Sequence, residues 1–242
     1  MLELIEISKS YGEKRALQQV SLSFSEGVYG LLGPNGAGKS TLMSIITENQ
    51  KPDGGEVLWD GKEIGKLGSS YRELLGYAPQ QQGLYEAFTG RRFLSYMGTL
   101  KALGKKEIFE EIERVTAYVN LGEVINRPIG TYSGGMKQRL LIAQAIMGDP
   151  KLIIMDEPTA GLDPKERVRI REKLQELSEG RMILVATHVV SDIESIAKEI
   201  VILKKGQVMA KDTVAALCKM YGDVNNLEDV YMKVFGDEAK YV

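Results

Sequence analysis

Cysteine and histidine are almost missing from this sequence: Cys218 and His188 stand alone. A single cysteine excludes an internal disulfide, and one histidine beside it excludes a His/Cys zinc site within the chain. Charge of either sign is not in excess, since 31 basic and 33 acidic residues leave a net charge of −2. No basic tail or Lys/Arg run marks non-specific nucleic-acid binding, so no nucleic-acid partner is expected. Long apolar runs are absent too, and none approaches the roughly 20 residues of a membrane-spanning helix. The N-terminus, MLELIEISKSYGEK, is too acidic and too interrupted for a secretory signal. The expectation is a cytoplasmic chain that meets a membrane only through a partner.

What is present is ordinary for a folded domain: 242 residues, 43% hydrophobic and 26% charged, enough to bury a core without disulfides or structural metal. Val20, Leu22 and Phe24 alternate with Ser21, Ser23 and Ser25, the period of a half-buried strand. Glu56 to Trp59 forms a second such stretch and ends in the turn signal Asp60-Gly61. Together they predict a small antiparallel sheet beside the core. Three continuous apolar runs, Val28 to Leu32, Leu152 to Met155 and Met182 to Ala186, have the size of buried strands. Each leads through a loop into a helical pattern, so the fold class is α/β with a mostly parallel sheet.

Asp163-Pro164-Lys165-Glu166 offers an N-cap, a proline at the first helical position and a capping-box glutamate, with Ile170, Leu174 and Leu177 sharing one face beyond. From about Ala87 to Gly148 the pattern is mostly helical and reads as an inserted lobe. Near the end, Leu227, Val230, Tyr231 and Val234 form the stripe of a last short helix capped by Asn226.

GPNGAGKST, Gly33 to Thr41, fits G-x-x-x-x-G-K-[ST] directly after a buried strand and before a helix carrying Leu42, Ile45 and Ile46. In Gly33, Pro34, Asn35, Gly36, Ala37, Gly38, Lys39, Ser40 and Thr41 the glycines let backbone N–H groups curl around an anion at a helix N-terminus. Lys39 is placed to reach the β- and γ-phosphates, and Ser40 to give Mg²⁺ a hydroxyl. Alone, this loop says only nucleoside triphosphate. The strand Leu152 to Met155 runs into Asp156 and Glu157, two carboxylates suited to different tasks: Asp156 to hold Mg²⁺, Glu157 to take a proton from attacking water.

With Tyr132 to Pro150, YSGGMKQRLLIAQAIMGDP, followed at once by KLIIMDEPTAGLDP, the chain resembles ATP-binding cassette (ABC) transporter ATPases over roughly Leu2 to Ala210. The resemblance implies a P-loop NTPase core with an N-terminal antiparallel β subdomain and an inserted helical subdomain. It places the ATPase domain over about 1–220, with the helical subdomain at about 81–150 and a helical tail over 221–242. It implies that Tyr11 stacks on adenine. Gln80, with Gln81 and Gln82 beside it but Ala78-Pro79 before it, takes the glutamine position at the junction of core and lobe, with roles in metal binding and catalysis. His188 takes the place of a γ-phosphate sensor, and Ala160 to Asp163 the loop that crosses the dimer interface.

The cofactors implied are ATP and Mg²⁺. The partners implied are a second ATPase subunit, identical or different, bound head to tail, and an integral-membrane permease that holds the chain on the inner face of the cell membrane. Ser133, Gly134 and Gly135 would complete the partner's ATP site. A groove over Gln80 to Phe88 would receive the permease, with Tyr85 and Phe88 either contact residues or part of the lobe core.

Two departures stand out. Tyr132 replaces the commoner leucine and Met136-Lys137 the usual glutamine and its neighbour, a variant similar to ATPases of drug, peptide or polysaccharide exporters; the tail, including LEDVYMKVFG, resembles the end of one bacterial branch, and the chain as a whole the bacterial exporter-type (ABC-2-like) branch. Glu48 stands where many members have glycine, so a local backbone effect is expected there. A cassette acting on ribosomes or DNA is the competing reading. It fits less well: there is no second cassette with a charged linker, and Thr41 to Tyr132 is too short for an inserted coiled coil. A third reading, a P-loop kinase or GTPase, fails because this sequence has no base-specificity element such as Asn-Lys-x-Asp.

Overall fold

The computed structural model describes residues 1–80 and 83–236; residues 81, 82 and 237–242, at the start of the expected lobe and in the expected tail, lie outside the described residues. The chain begins with β1 (Leu2–Tyr11), β2 (Lys14–Phe24) and β3 (Gly27–Leu32), then α1 (Lys39–Ile46). A meander of β4 (Gly54–Trp59), β5 (Lys62–Glu63), α2 (Ile64–Leu67) and α3 (Ser69–Leu74) leads to β6 (Leu75–Ala78). Three helices follow, α4 (Gly90–Leu100), α5 (Lys105–Tyr118) and α6 (Gly134–Ile146). The chain then alternates through β7 (Leu152–Asp156), α7 (Pro164–Leu177) and β8 (Met182–Thr187). It closes with β9 (Glu199–Lys204), β10 (Gln207–Asp212), α8 (Val214–Met220) and α9 (Leu227–Phe235).

Two sheets result. One is antiparallel, in the order β2-β1-β4-β5, and the other has the order β10-β9-β3-β8-β7-β6, parallel except for the β9–β10 hairpin. Both alternating stretches read from the sequence lie in the first, and all three continuous apolar runs lie side by side in the second.

The continuous runs are apolar because both faces of the parallel sheet are covered. Alternate side chains of a strand point to opposite faces, so each run supplies two cores. Val28, Leu32, Ile153, Met155, Ile183 and Val185 face the helices α4 to α7. Tyr29, Leu31, Leu152, Ile154, Met182 and Leu184 face α1 and the antiparallel sheet. The helix patterns close where their caps say. Asp163 accepts from Glu166 N at 2.9 Å to start α7, and Asn226 accepts from Asp229 N at 2.8 Å to start α9. The capping-box role read for Glu166 is not taken: its carboxylate turns to Arg169 (3.1 Å) and Arg139 (3.5 Å). Two guanidinium partners outweigh one backbone N–H.

Two of the residues that depart from the family pattern, Glu48 and Tyr132, fit their local surroundings. Glu48 sits just past α1 with φ 57, the left-handed turn that commonly ends a helix and that glycine adopts most easily. Its carboxylate reaches Arg72 at 3.3 Å. Tyr132 is buried in the helical lobe, and its hydroxyl donates to the Val124 carbonyl at 2.9 Å. That hydroxyl needs Gly90: a Cβ there would stand 2.5 Å from the Tyr132 Oη and 2.7 Å from Ile125 Cδ1. Among the described residues, no helix is long and apolar enough to cross a membrane.

Gly90→Ala is therefore expected to lose about 1–3 kcal/mol through overpacking, read as a lower urea midpoint. Tyr132→Phe added to that variant should recover part of the loss. By itself, Tyr132→Phe should cost about 0.5–1.5 kcal/mol for the missing hydrogen bond.

Candidate functional site

The parallel register decides where the chemistry sits. Leu32 pairs with Thr187 across β3 and β8, and Ala186 with Asp156 across β8 and β7. The loops after these three strands, Gly33 to Gly38, Glu157 onward and His188 onward, therefore leave one edge of the sheet together. In open parallel sheets this carboxyl edge is where ligands bind. β6 adds its own end beside β7, with Ala78 opposite Met155, so Gln80 emerges at the same edge.

The loop from Gly33 turns into α1 through Gly38, whose φ of 112 is closed to other residues and whose missing Cβ would meet the Ala16 carbonyl at 2.6 Å. No side chain caps α1, so the N–H groups of its first turn are not taken by a capping side chain and point at the loop's mouth. Lys39 is buried and donates to the carbonyls of Gly33 and Pro34. Burial lowers its pKa, opposed by the charges of Glu157 and Asp156. Beside the loop is a cleft of about 180 Å³, lined by Pro34, Asn35, Gly36, Gly38, Lys39, Ser40 and Thr41, with Tyr11, Lys14 and Ala16 on its flank. Tyr11 is thus brought to the phosphate loop from the other sheet. Its hydroxyl bonds Gln50.

Ser40 donates to Asp156 Oδ2 at 3.1 Å. Burial raises the Asp156 pKa and the neighbouring Glu157 adds to the rise, while the Ser40 bond and Lys39 counter it. A divalent cation in reach of both oxygens would relieve that penalty. The serine hydroxyl and the carboxylate form the all-oxygen pair that Mg²⁺ takes when phosphates supply further ligands.

Glu157 is the tightest point of the site. It has φ 51, in the left-handed region, immediately before Pro158, a position where that backbone is further disfavoured. The conformation costs about 1–2 kcal/mol and turns the chain back so that the carboxylate faces the end of β8. There it is 4% exposed and accepts from Thr187 Oγ1 (3.1 Å) and His188 N (3.1 Å), with His188 Nδ1 at 2.7 Å. The Glu157 N–H donates to the Ala186 carbonyl at 2.8 Å. Lys39, Ser40, Asp156, Glu157 and His188 thus converge.

Not every residue named from the sequence joins them. Gln80 is exposed and makes no side-chain hydrogen bond to Lys39, Ser40 or Asp156. Ser133 and Gly134 are exposed at the start of α6, where Ser133 Oγ accepts from Met136 N at 3.2 Å, and they do not line the cleft. Gly135 meets Leu162 of the loop after Glu157, since a Cβ there would lie 3.1 Å from Leu162 Cδ2. The sequence reading left out Lys14, which shares the Tyr11 hairpin, and Thr187, signalled only by its place before His188. It also left out the buried pair Thr159 and Asp192, which nothing in the local pattern marks.

Residues 17–160 match the family model described as ABC transporter. The linearmycin resistance ATP-binding protein LnrL of Bacillus subtilis (strain 168) is 37% identical over 224 residues, covering 92% of this chain and 72% of that protein. The Nod factor export ATP-binding protein I of Rhizobium sp. (strain N33) is 34% identical over 218 residues, covering 89% and 72%. Among solved structures, the dimeric post-hydrolysis state of the ATP-binding cassette MJ0796 bound to ADP and Pi superposes with a TM-score of 0.81 at 29% identity, covering 88% of this chain and 98% of that one. With phosphate loop, paired carboxylates and histidine gathered at one sheet edge, the chain belongs to the ABC transporter family as an ATP-hydrolysing, nucleotide-binding subunit.

Proposed function

We propose that this subunit hydrolyses ATP at the carboxyl edge of β3, β8 and β7 with Glu157 as general base, and that the observation carrying this is the buried Glu157 carboxylate held against His188. Attack by water forms the new O–P bond as the bond to the β-phosphate oxygen breaks, and Glu157 takes the water's proton. Little covalent help is needed in phosphoryl transfer, so positioning and charge neutralisation carry the rate. Lys39 leaves its own loop carbonyls for the phosphates. The N–H groups of Gly33 to Thr41 hold their oxygens, and Tyr11 flanks the base. His188, carried on the same carboxylate, contacts the γ-phosphate. Ser40, Asp156 and Gln80 would hold Mg²⁺, which when bound offsets phosphate charge.

Ser133, Gly134 and Gly135 do not line this chain's own cleft, which supports a site completed by the α6 N-terminus of a second subunit, identical or different, packed head to tail. The dimeric MJ0796 cassette is consistent with that arrangement. Closure on ATP and reopening after hydrolysis then form a ligand-driven shift between two states. The helical subdomain over about 81–150 carries that surface, with 221–242 as a tail. Tyr85, 52% exposed, stacks on Phe88 at 5.0 Å and meets Tyr96 edge-on at 6.1 Å, while Arg92 covers Phe88 at 4.1 Å. Tyr85 is thus surface rather than lobe core. Phe88 packs partly against the lobe core, and the exposed Tyr85 and Tyr96 beside it suit docking of the membrane permease, which would keep the chain at the cytoplasmic face. Relatives named for linearmycin resistance and Nod factor export support export as the direction.

Glu157→Gln is expected to bind ATP with unchanged calorimetric affinity while turnover falls by about 10²–10⁴; rapid turnover in that variant would remove Glu157 as the base. Ser133→Arg should abolish ATP-dependent dimerisation in light scattering yet leave monomer binding intact, and normal dimers would defeat the shared site. Tyr85→Asp should retain ATPase activity in the isolated chain and lose co-purification with the permease, by about tenfold or more for a central interface residue.

A further inference from the structure

Behind the Glu157–His188 contact lies a second tie between the same two segments. Thr159, two residues past Glu157, is 2% exposed, and Asp192, four residues past His188, is 4% exposed. The Thr159 hydroxyl donates to Asp192 Oδ2. Among the described residues Asp192 has no ion-pair partner, so a desolvated carboxylate is kept here with a neutral hydroxyl as its side-chain donor. A carboxylate of that kind is expensive to bury, and its return is directional: it fixes the hydroxyl that meets it.

We infer that Asp192 is a positioning residue for ATP hydrolysis, holding Glu157 and His188 in register through the Thr159 hydroxyl. The inference rests on the roles proposed above for Glu157 and His188. Two features of the geometry lead to it. First, Glu157 is in a left-handed conformation before Pro158, and such a backbone persists only when its surroundings over-determine it. Thr159 anchors that turn from the far side of the proline, as the Glu157 N–H to Ala186 bond anchors the near side. Second, the other side-chain contacts between the two segments use the reacting groups: Glu157 accepts from Thr187, from His188 N and lies against His188 Nδ1. Those contacts must rearrange when Glu157 receives a proton and His188 turns to phosphate. The Thr159–Asp192 bond uses neither side chain and can stay made throughout.

The Asp192 end is itself held firmly. It closes the short helical turn Val190–Asp192, whose Ser191 carbonyl accepts from Arg171 of α7 at 2.6 Å. Just beyond, Glu194 Oε1 accepts from Leu227 N at the start of α9 at 2.7 Å. Asp192 therefore transmits the placement of a braced turn to the chain that carries Glu157.

The test uses the full chain and compares Asp192→Leu, Asp192→Asn, Thr159→Val and the Asp192→Leu/Thr159→Val double variant. Thr159→Val and Asp192→Leu should each lower kcat roughly tenfold to a hundredfold, as small misplacements of reacting groups do. The KM and calorimetric affinity for ATP should stay within about twofold, because the phosphate loop and Tyr11, which carry most of the proposed nucleotide contacts, lie on other elements. Asp192→Asn keeps an oxygen acceptor and should remain within about threefold of the parent. The double variant should be no slower than the slower single one, since both remove one bond. The inference is overturned by unchanged kcat in the single variants, by multiplicative losses in the double, or by losses that track the folded fraction in unfolding curves. Should Asp192→Leu fail to fold, Thr159→Val against Thr159→Ser decides alone, the first keeping shape and the second keeping the hydroxyl. An active Glu157→Gln variant would defeat the base assignment instead, so the two failures are separable.

Discussion

The register between β3, β8 and β7 is the constraint on which the remainder depends. Leu32, Thr187 and Asp156 end their strands within one residue of a common level, Leu32 opposite Thr187 and Asp156 opposite Ala186, because the pairing runs in step across all three. A slip of one residue would exchange every side chain between the two faces of the sheet. Here that would place residues shaped for α1 and the antiparallel sheet against the helical lobe, and the reverse. Packing on both faces thus fixes the alignment that gathers Lys39, Asp156, Glu157 and His188. The geometry of the proposed site is a by-product of core formation, specified by side chains buried on the two faces of the sheet.

The site built on that edge is held under local tension. Glu157 combines a left-handed backbone, a following proline and a nearly complete loss of solvent. Asp156 beside it carries a raised pKa from burial, and Lys39 is the counter-charge facing both. Each group alone would be a poor choice for an interior. In the roles proposed above, Lys39 serves the phosphates and the two carboxylates serve the metal and the attacking water, the positioning and charge neutralisation that phosphoryl transfer demands of a protein.

Much of this was legible in the sequence, for reasons that differ by element. The three apolar runs announced buried parallel strands because nothing polar survives on either face of such a strand. β6 and β9 are equally parallel but were not singled out: β6 is only Leu75–Ala78, and β9, Glu199–Lys204, has no motif at its end to draw attention. The phosphate loop and the acidic pair were readable because spacing and strand context coincide. Ser133 to Gly135 were readable only through resemblance, since a capped helix start looks the same whether or not it meets a phosphate. The conformation of Glu157 was not legible, because a proline after it argues for an extended backbone. Asp192 was not legible either. Its meaning depends on meeting Thr159 across 33 positions of chain.

The Tyr132 hydroxyl and Ile125 Cδ1 together occupy the space that any side chain at position 90 would need. Positions 90, 125 and 132 therefore share one small volume. A smaller residue at 132 opens only part of it, because Ile125 Cδ1 and the Ile125 carbonyl still close on a side chain at 90. The unusual first letter of the signature segment thus depends on a glycine some forty residues earlier in the chain.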